Sequence, residues 1–342
     1  MRTIVVTALY WSAVAFGSLL AVVSGFDLAV ADHDPLPAAS LAGLLPRTVY
    51  LLITAVLALV LAGTAAAMAA AGRQPADRAP ASRALLGIGA LAAVVLILLS
   101  LSTGLLAFVG YLPLALVLTP FNETMREAFL AAVDHSVLTQ LAIVVGVLLW
   151  GAAARRHLRI AAVSVPAWAR PHAAARWGRA AVAVAVVPPL AYAATRFAWL
   201  VYPLGFDRPE WEAARASGDL LPGVWLGAFA VVGAVLTLGL AQRWGEVFPR
   251  WLPGLAGRRV PVALAVVPAS FVSATVLPAG ISMIRQVVTQ AAEIEVIDGW
   301  ASFGPTFLWP LWGVALAVAT LGYALRRSGD RGGNINPRAK VE

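Results

Sequence analysis

Eight stretches of this chain are each apolar for long enough to cross the hydrocarbon of a bilayer, which takes roughly 20 helical residues. They lie near Thr3–Ser24, Val49–Ala71, Ala84–Val109, Val137–Ala154, Ala180–Val201, Leu221–Ala241, Val260–Met283 and Gly304–Leu325. That pattern leaves little choice of fold. Inside lipid every backbone amide must be paired within a helix or around a closed barrel, and the alternating polarity of barrel strands is absent. The expectation is an all-α, polytopic membrane helical bundle, with residues 1–342 forming a single integral membrane domain. Its parts are a first four-helix half at 1–154, a cytoplasmic loop at 155–179, a second four-helix half at 180–327 and a cytoplasmic tail at 328–342. Composition agrees, since 61% hydrophobic and 12% charged residues cannot clothe a water-soluble surface.

A pair of spans is written twice. Arg179–Thr195 (RAAVAVAVVPPLAYAAT) and Arg259–Thr275 (RVPVALAVVPASFVSAT) agree at nine of 17 aligned positions. Thr237–Arg243 and Thr320–Arg326 agree at five of seven. The offsets of 80 and 83 residues define a tandem two-helix hairpin repeat in the C-terminal half. Both copies enter the membrane in the same sense, so the repeat axis runs along the membrane normal. Pro188 and Pro268 are aligned, each roughly 13 Å into its helix at 1.5 Å per residue. A proline removes one helical hydrogen bond and frees a carbonyl. Matched breaks at matched depth are what a midplane solute site uses, although neighbouring helices also satisfy such prolines. Pro278 adds a second break that the first copy lacks.

Sorting the charges by side gives 19 basic and 4 acidic residues on the side holding both termini, and 6 and 13 on the other. An excess of Arg and Lys marks the cytoplasmic side. The chain therefore reads as a multi-pass plasma-membrane protein with cytoplasmic N- and C-termini. Trp150, Trp177, Trp244 and Trp251 fall near inner span ends, and Trp199, Trp211, Trp225, Trp300 and Trp309 near outer ends, as an interfacial belt requires. Arg2 and Ala29-Val30-Ala31 echo a signal peptide, but the apolar run is longer than a signal core, which favours a retained first span. Pro113 is expected to end or kink the third span. Asn122–Val133 then reads as an amphipathic surface helix with Asn122 as its N-cap.

The chemistry-bearing residues exclude more than they propose. There is no cysteine, hence no thiolate nucleophile or disulfide framework. The middle third of no span carries an ionisable residue of the kind that ion-coupled pumps keep. The four histidines, His33, His135, His157 and His172, sit in or beside loops, unlike the inward haem ligands of the haem A synthase family. The aspartate arrays of membrane prenyltransferases and CDP-alcohol transferases are absent, as is a rhomboid GxSG. Asp27, Asp32 and Asp34 lie where lipid-linked glycosyltransferases often carry acidic residues, in the first outer loop. Ala291–Gly299 (AAEIEVIDG) superficially resembles the coupling loop of importer permeases, but the charge count places it outside and its opening is out of register. No catalytic residue, cofactor or metal is expected. The basic balance reflects membrane orientation, with no module for nucleic acid.

Arg196, near the outer end of the fifth span, either snorkels to the headgroups or attracts an anion together with Arg47 and Arg285, or pairs with Glu127 or Asp134. Asp134-His135 reads as a helix start or as a proton-handling pair. In Arg243–Pro261 (RWGEVFPRWLPGLAGRRVP), Trp244 and Trp251 are placed to meet the inner headgroups, with Arg243, Arg250, Arg258 and Arg259 against anionic lipid or a protein partner. That loop, with LWPLWGVALAVATLGYALRR at Leu308–Arg327, resembles uncharacterised multi-pass membrane proteins of actinobacteria. The resemblance implies no activity, substrate or site residue. Two functions stand open. One is a transporter or permease-like subunit with a cavity near Pro188 and Pro268, lined or gated by Arg196, Asp134, His135 and Arg285. The other is a non-catalytic scaffold or regulatory subunit binding anionic lipid or a partner through basic cytoplasmic loops.

Overall fold

A computed structural model describes residues 2–30, 41–71, 79–160, 166–205, 207–289 and 300–329. Among these residues the regular structure is helical, with an isolated antiparallel bridge between Val247 and Arg259. Seven helices are long and apolar enough to cross a membrane: Arg47–Ala71, Ala81–Ser100, His135–Leu158, Pro171–Ala198, Leu221–Gly239, Val262–Thr289 and Trp300–Arg327. The first helix, α1 (Arg2–Val30), adds a shorter apolar stretch, Ala8–Ser24. The chain packs as two compact units, Met1–Ser164 and Val165–Glu342.

In the first unit α1, α2 (Arg47–Ala71), α3 (Ala79–Ser100) and α6 (His135–Ile160) form a bundle, with α1 on α2 and α6, and α3 on α2 and α6. Small residues set these contacts. A Cβ on Gly17 would meet the Ala58 carbonyl oxygen at 2.8 Å, so only glycine lets α1 and α2 approach this closely. Gly89 of α3 leaves a slot for Trp150, whose indole N–H donates to Thr64 Oγ1 at 3.0 Å. Trp150 is 7% exposed and belongs to this core, not to an interfacial belt. α6 also runs further than the apolar pattern suggests and carries His157 into the packing at 2% exposure, so that histidine is not a loop residue.

The third span departs from expectation. α3 stops at Ser100 and α4 begins at Thr103, while Pro113 sits inside α4 (Thr103–Leu118). Ser102 is extended, and both its N–H and its hydroxyl donate to Gln140 Oε1 of α6, at 2.9 and 3.2 Å. The Gln140 amide donates in turn to Ser136 Oγ at 3.1 Å. A side chain from another helix thus replaces the lost helical bond, and the break falls where that partner is. The amphipathic helix forms as α5 (Glu123–Ala132), with Phe129 stacked on Phe108 of α4 at 5.5 Å between ring centres.

The second unit holds α7 (Pro171–Ala198), α8 (Arg208–Ser217), α9 (Leu221–Gly239), α10 (Val262–Thr289), α11 (Trp300–Phe303) and α12 (Trp309–Gly329). α7 starts earlier than the apolar pattern suggests because Pro171 occupies its first turn and helix-forming Ala and Arg follow. Each copy of the repeated sequence pairs its own two helices, α7 with α9 and α10 with α12, and the copies meet through α7 on α12. The neighbours therefore run α9, α7, α12, α10. Matched threonines make matched back bonds: Thr237 to the Gly233 carbonyl at 2.8 Å and Thr320 to the Leu316 carbonyl at 2.7 Å. At the α7–α12 contact, Gly178 and Gly322 lie so close that a Cβ on Gly322 would meet the Gly178 Cα at 2.8 Å.

Candidate functional site

The aligned prolines differ in exposure. Pro188 is fully buried in α7, whereas Pro268 is exposed on α10. The reason is position in the unit: α7 is flanked by α9 and α12, while α10 packs chiefly on α12. Identical sequence thus meets different surroundings.

Arg196 is 6% exposed, so its guanidinium is held inside the unit. It lies between the rings of Tyr192 and Trp199, 4.3 and 4.2 Å from their centres. It donates to the carbonyls of Ala301 at 2.9 Å and Ser302 at 2.7 Å. Gly223 and Gly227 of α9 make room for the Trp199 ring and the arginine stem. α8 closes this end, with Trp211 donating to the Trp199 carbonyl at 2.8 Å and packing with Trp199 and Leu220. The fork of a guanidinium bridges two carbonyls, and stacked rings stabilise its charge. Arg196 therefore latches α7 to α11 instead of reaching outward.

The other candidates fall in different units. Asp134 is the N-cap of α6, its Oδ1 accepting the Val137 N–H at 2.7 Å, and His135 beside it is exposed. Both lie in the first unit, as does Arg47. Arg285 is half-buried on α10 in the second, where its carbonyl accepts the Thr289 hydroxyl at 2.9 Å. The coupling-loop segment Ala291–Gly299, Asp32, Asp34, Ala31 and the tail from Asp330 lie outside the described residues.

The basic loop between α9 and α10 is the built feature. Phe248 donates its N–H to the Arg258 carbonyl at 3.0 Å, and Val260 donates to the Glu246 carbonyl at 2.9 Å. Gly254 and Gly257 adopt positive φ, 78° and 73°, in the turns that close it. The end of α12 clamps the loop. Tyr323 donates its hydroxyl to the Gly245 carbonyl at 2.7 Å, Arg326 to the Leu240 carbonyl at 3.0 Å, and Arg327 to the Val260 carbonyl at 3.0 Å. Arg326 also pairs with Glu246 at 2.8 Å. Trp244 is half-buried over Gly239, but Trp251 is 78% exposed, with Arg243, Arg250, Arg258 and Arg259 exposed around it. The sequence marks Trp251 and the four arginines as surface residues, but Trp244 turns onto Gly239 and the clamp goes unmarked. Its signal was the arginine pair and tyrosine closing the last apolar span, which the repeat matches only in part. The chain matches no known protein family model, no curated protein and no solved structure.

Proposed function

We propose that this chain is an integral plasma-membrane protein of eight spans, α1 included, with both termini in the cytoplasm. We infer that it serves as a non-catalytic scaffold or regulatory subunit, and its second unit holds a basic, indole-bearing surface against the anionic headgroups of the inner leaflet. The observation that supports this reading is the clamped loop, which carries the exposed Trp251 and exposed arginines while its backbone is tied to α12. A loop already ordered loses little freedom on binding. An exposed indole on a loop that also carries exposed guanidinium groups suits the headgroup layer, and each arginine near an anionic surface contributes about 1 kcal/mol. For translocation between the repeated hairpins the aligned prolines give less support, since Pro188 is buried and Pro268 exposed.

The chain has no native cysteine, so Leu255→Cys can carry an environment-sensitive dye without background. In nanodiscs containing phosphatidylglycerol the emission should shift to the blue relative to phosphatidylcholine alone, and salt should reverse the shift. Equal emission in both lipids would sink the proposal. A blue shift abolished by Arg250→Gln, Arg258→Gln and Arg259→Gln together would tie it to these side chains.

A further inference from the structure

Beside the loop, at the end of the second unit where α7 begins, lies a cleft that no feature above uses. Trp168, Ala173, Arg176 and Trp177 line an open surface cleft of about 470 Å³. Ala173, Arg176 and Trp177 share one face of α7 at helical spacing. The small Ala173 side chain leaves the floor open. Trp168 arrives on the short 3-10 turn Ala167–Ala169, and the Trp177 indole N–H donates to its carbonyl at 2.9 Å. The Trp177 indole is therefore tied to the Trp168 backbone, which sets the second indole beside it. On its far side Trp177 rests against Gly322, one residue before the tyrosine that clamps the basic loop.

The charge at this cleft is one-sided. Arg176 is exposed at its edge, Arg170 and Arg179 flank it in sequence, and among the described residues none of them forms an ion pair. Apolar walls with a guanidinium at the rim match a phosphodiester joined to acyl chains: the phosphate meets Arg176 and the first methylenes lie between the indoles. A soluble polyanion would gain the charge but not the walls, and a neutral lipid the reverse. We propose that this cleft is a headgroup site for one anionic phospholipid of the inner leaflet. The proposal rests on the reading that this end of the unit meets anionic lipid, but it assigns a separate, stoichiometric site.

The test uses the full chain in nanodiscs of equal parts phosphatidylcholine and phosphatidylglycerol, released and weighed with its retained lipids by native mass spectrometry. Wild-type protein should keep a last phosphatidylglycerol that Arg176→Gln loses about fivefold more readily, the effect of one basic contact. Trp168→Ala should weaken it further, and Arg176→Lys should restore most of it. Trp168 is largely exposed and its carbonyl survives the substitution, so folding is spared. Wild-type retention in Arg176→Gln with Trp168→Ala overturns the cleft site, and so does equal retention of phosphatidylcholine. If retention in those variants is unchanged while the loop triple variant loses its phosphatidylglycerol enrichment, the cleft fails and the face stands. If wild type shows no preference at all, both fall.

Discussion

At the scale of single residues, burial and partners decide what a charge is for. Arg196 ends a stretch whose aligned partner in the second copy, Val276, is apolar and also buried. Replacing Arg196 by Met should strand the Ala301 and Ser302 carbonyls, at a cost of roughly 2 kcal/mol or more. Lys should not rescue it, because an ammonium lacks the planar fork that stacks between two rings. Thermal unfolding in detergent checks this, and an unchanged midpoint in Arg196→Met would remove the latch. Tyr323 is a milder case. Tyr323→Phe takes one hydrogen bond from the Gly245 carbonyl, about 1 kcal/mol, and should speed amide exchange across Gly245–Val260 while global unfolding stays nearly in place. Uniform exchange changes along the chain would argue against a local clamp.

At the scale of elements, two features rest on contacts between helices and not on local propensity. The break after α3 is held by Gln140, so Gln140→Leu should leave the Ser102 N–H unpaired and destabilise the first unit by about 1–3 kcal/mol. Pro113→Ala should matter less, since α4 continues through that proline. Limited proteolysis between α3 and α4 separates the two: faster cleavage is expected only in the glutamine variant. The α7–α12 contact is as exacting. Gly322→Leu has no room against Gly178 and Trp177, and overpacking of this kind costs about 1–3 kcal/mol. A Gly322→Leu protein as stable as wild type would show that these helices part more easily than their spacing implies.

At the scale of the whole molecule, the topology is open to direct measurement. Reporter fusions at Arg170 and Gly254 should report cytoplasm and one at Asp219 the exterior, because the basic residues divide 19 to 6 between the sides. An inverted pattern would move the basic loop and the cleft away from the inner leaflet and end the lipid reading. By itself the sequence determined that the chain is helical and where most of its long apolar helices run, since hydrophobic length is a local property. It also marked Trp251 and its arginines as the outward edge of their loop. Only the tertiary structure decided which copy of the proline is buried, because Pro188 and Pro268 share their neighbours in sequence but not in space. The same holds for Arg196, for Ser102 and Gln140, 38 residues apart, and for Tyr323 and Gly245, 78 apart. A partner's distance along the chain carries no periodicity, so a pattern of apolar residues can mark where a helix lies without naming what its polar groups will meet.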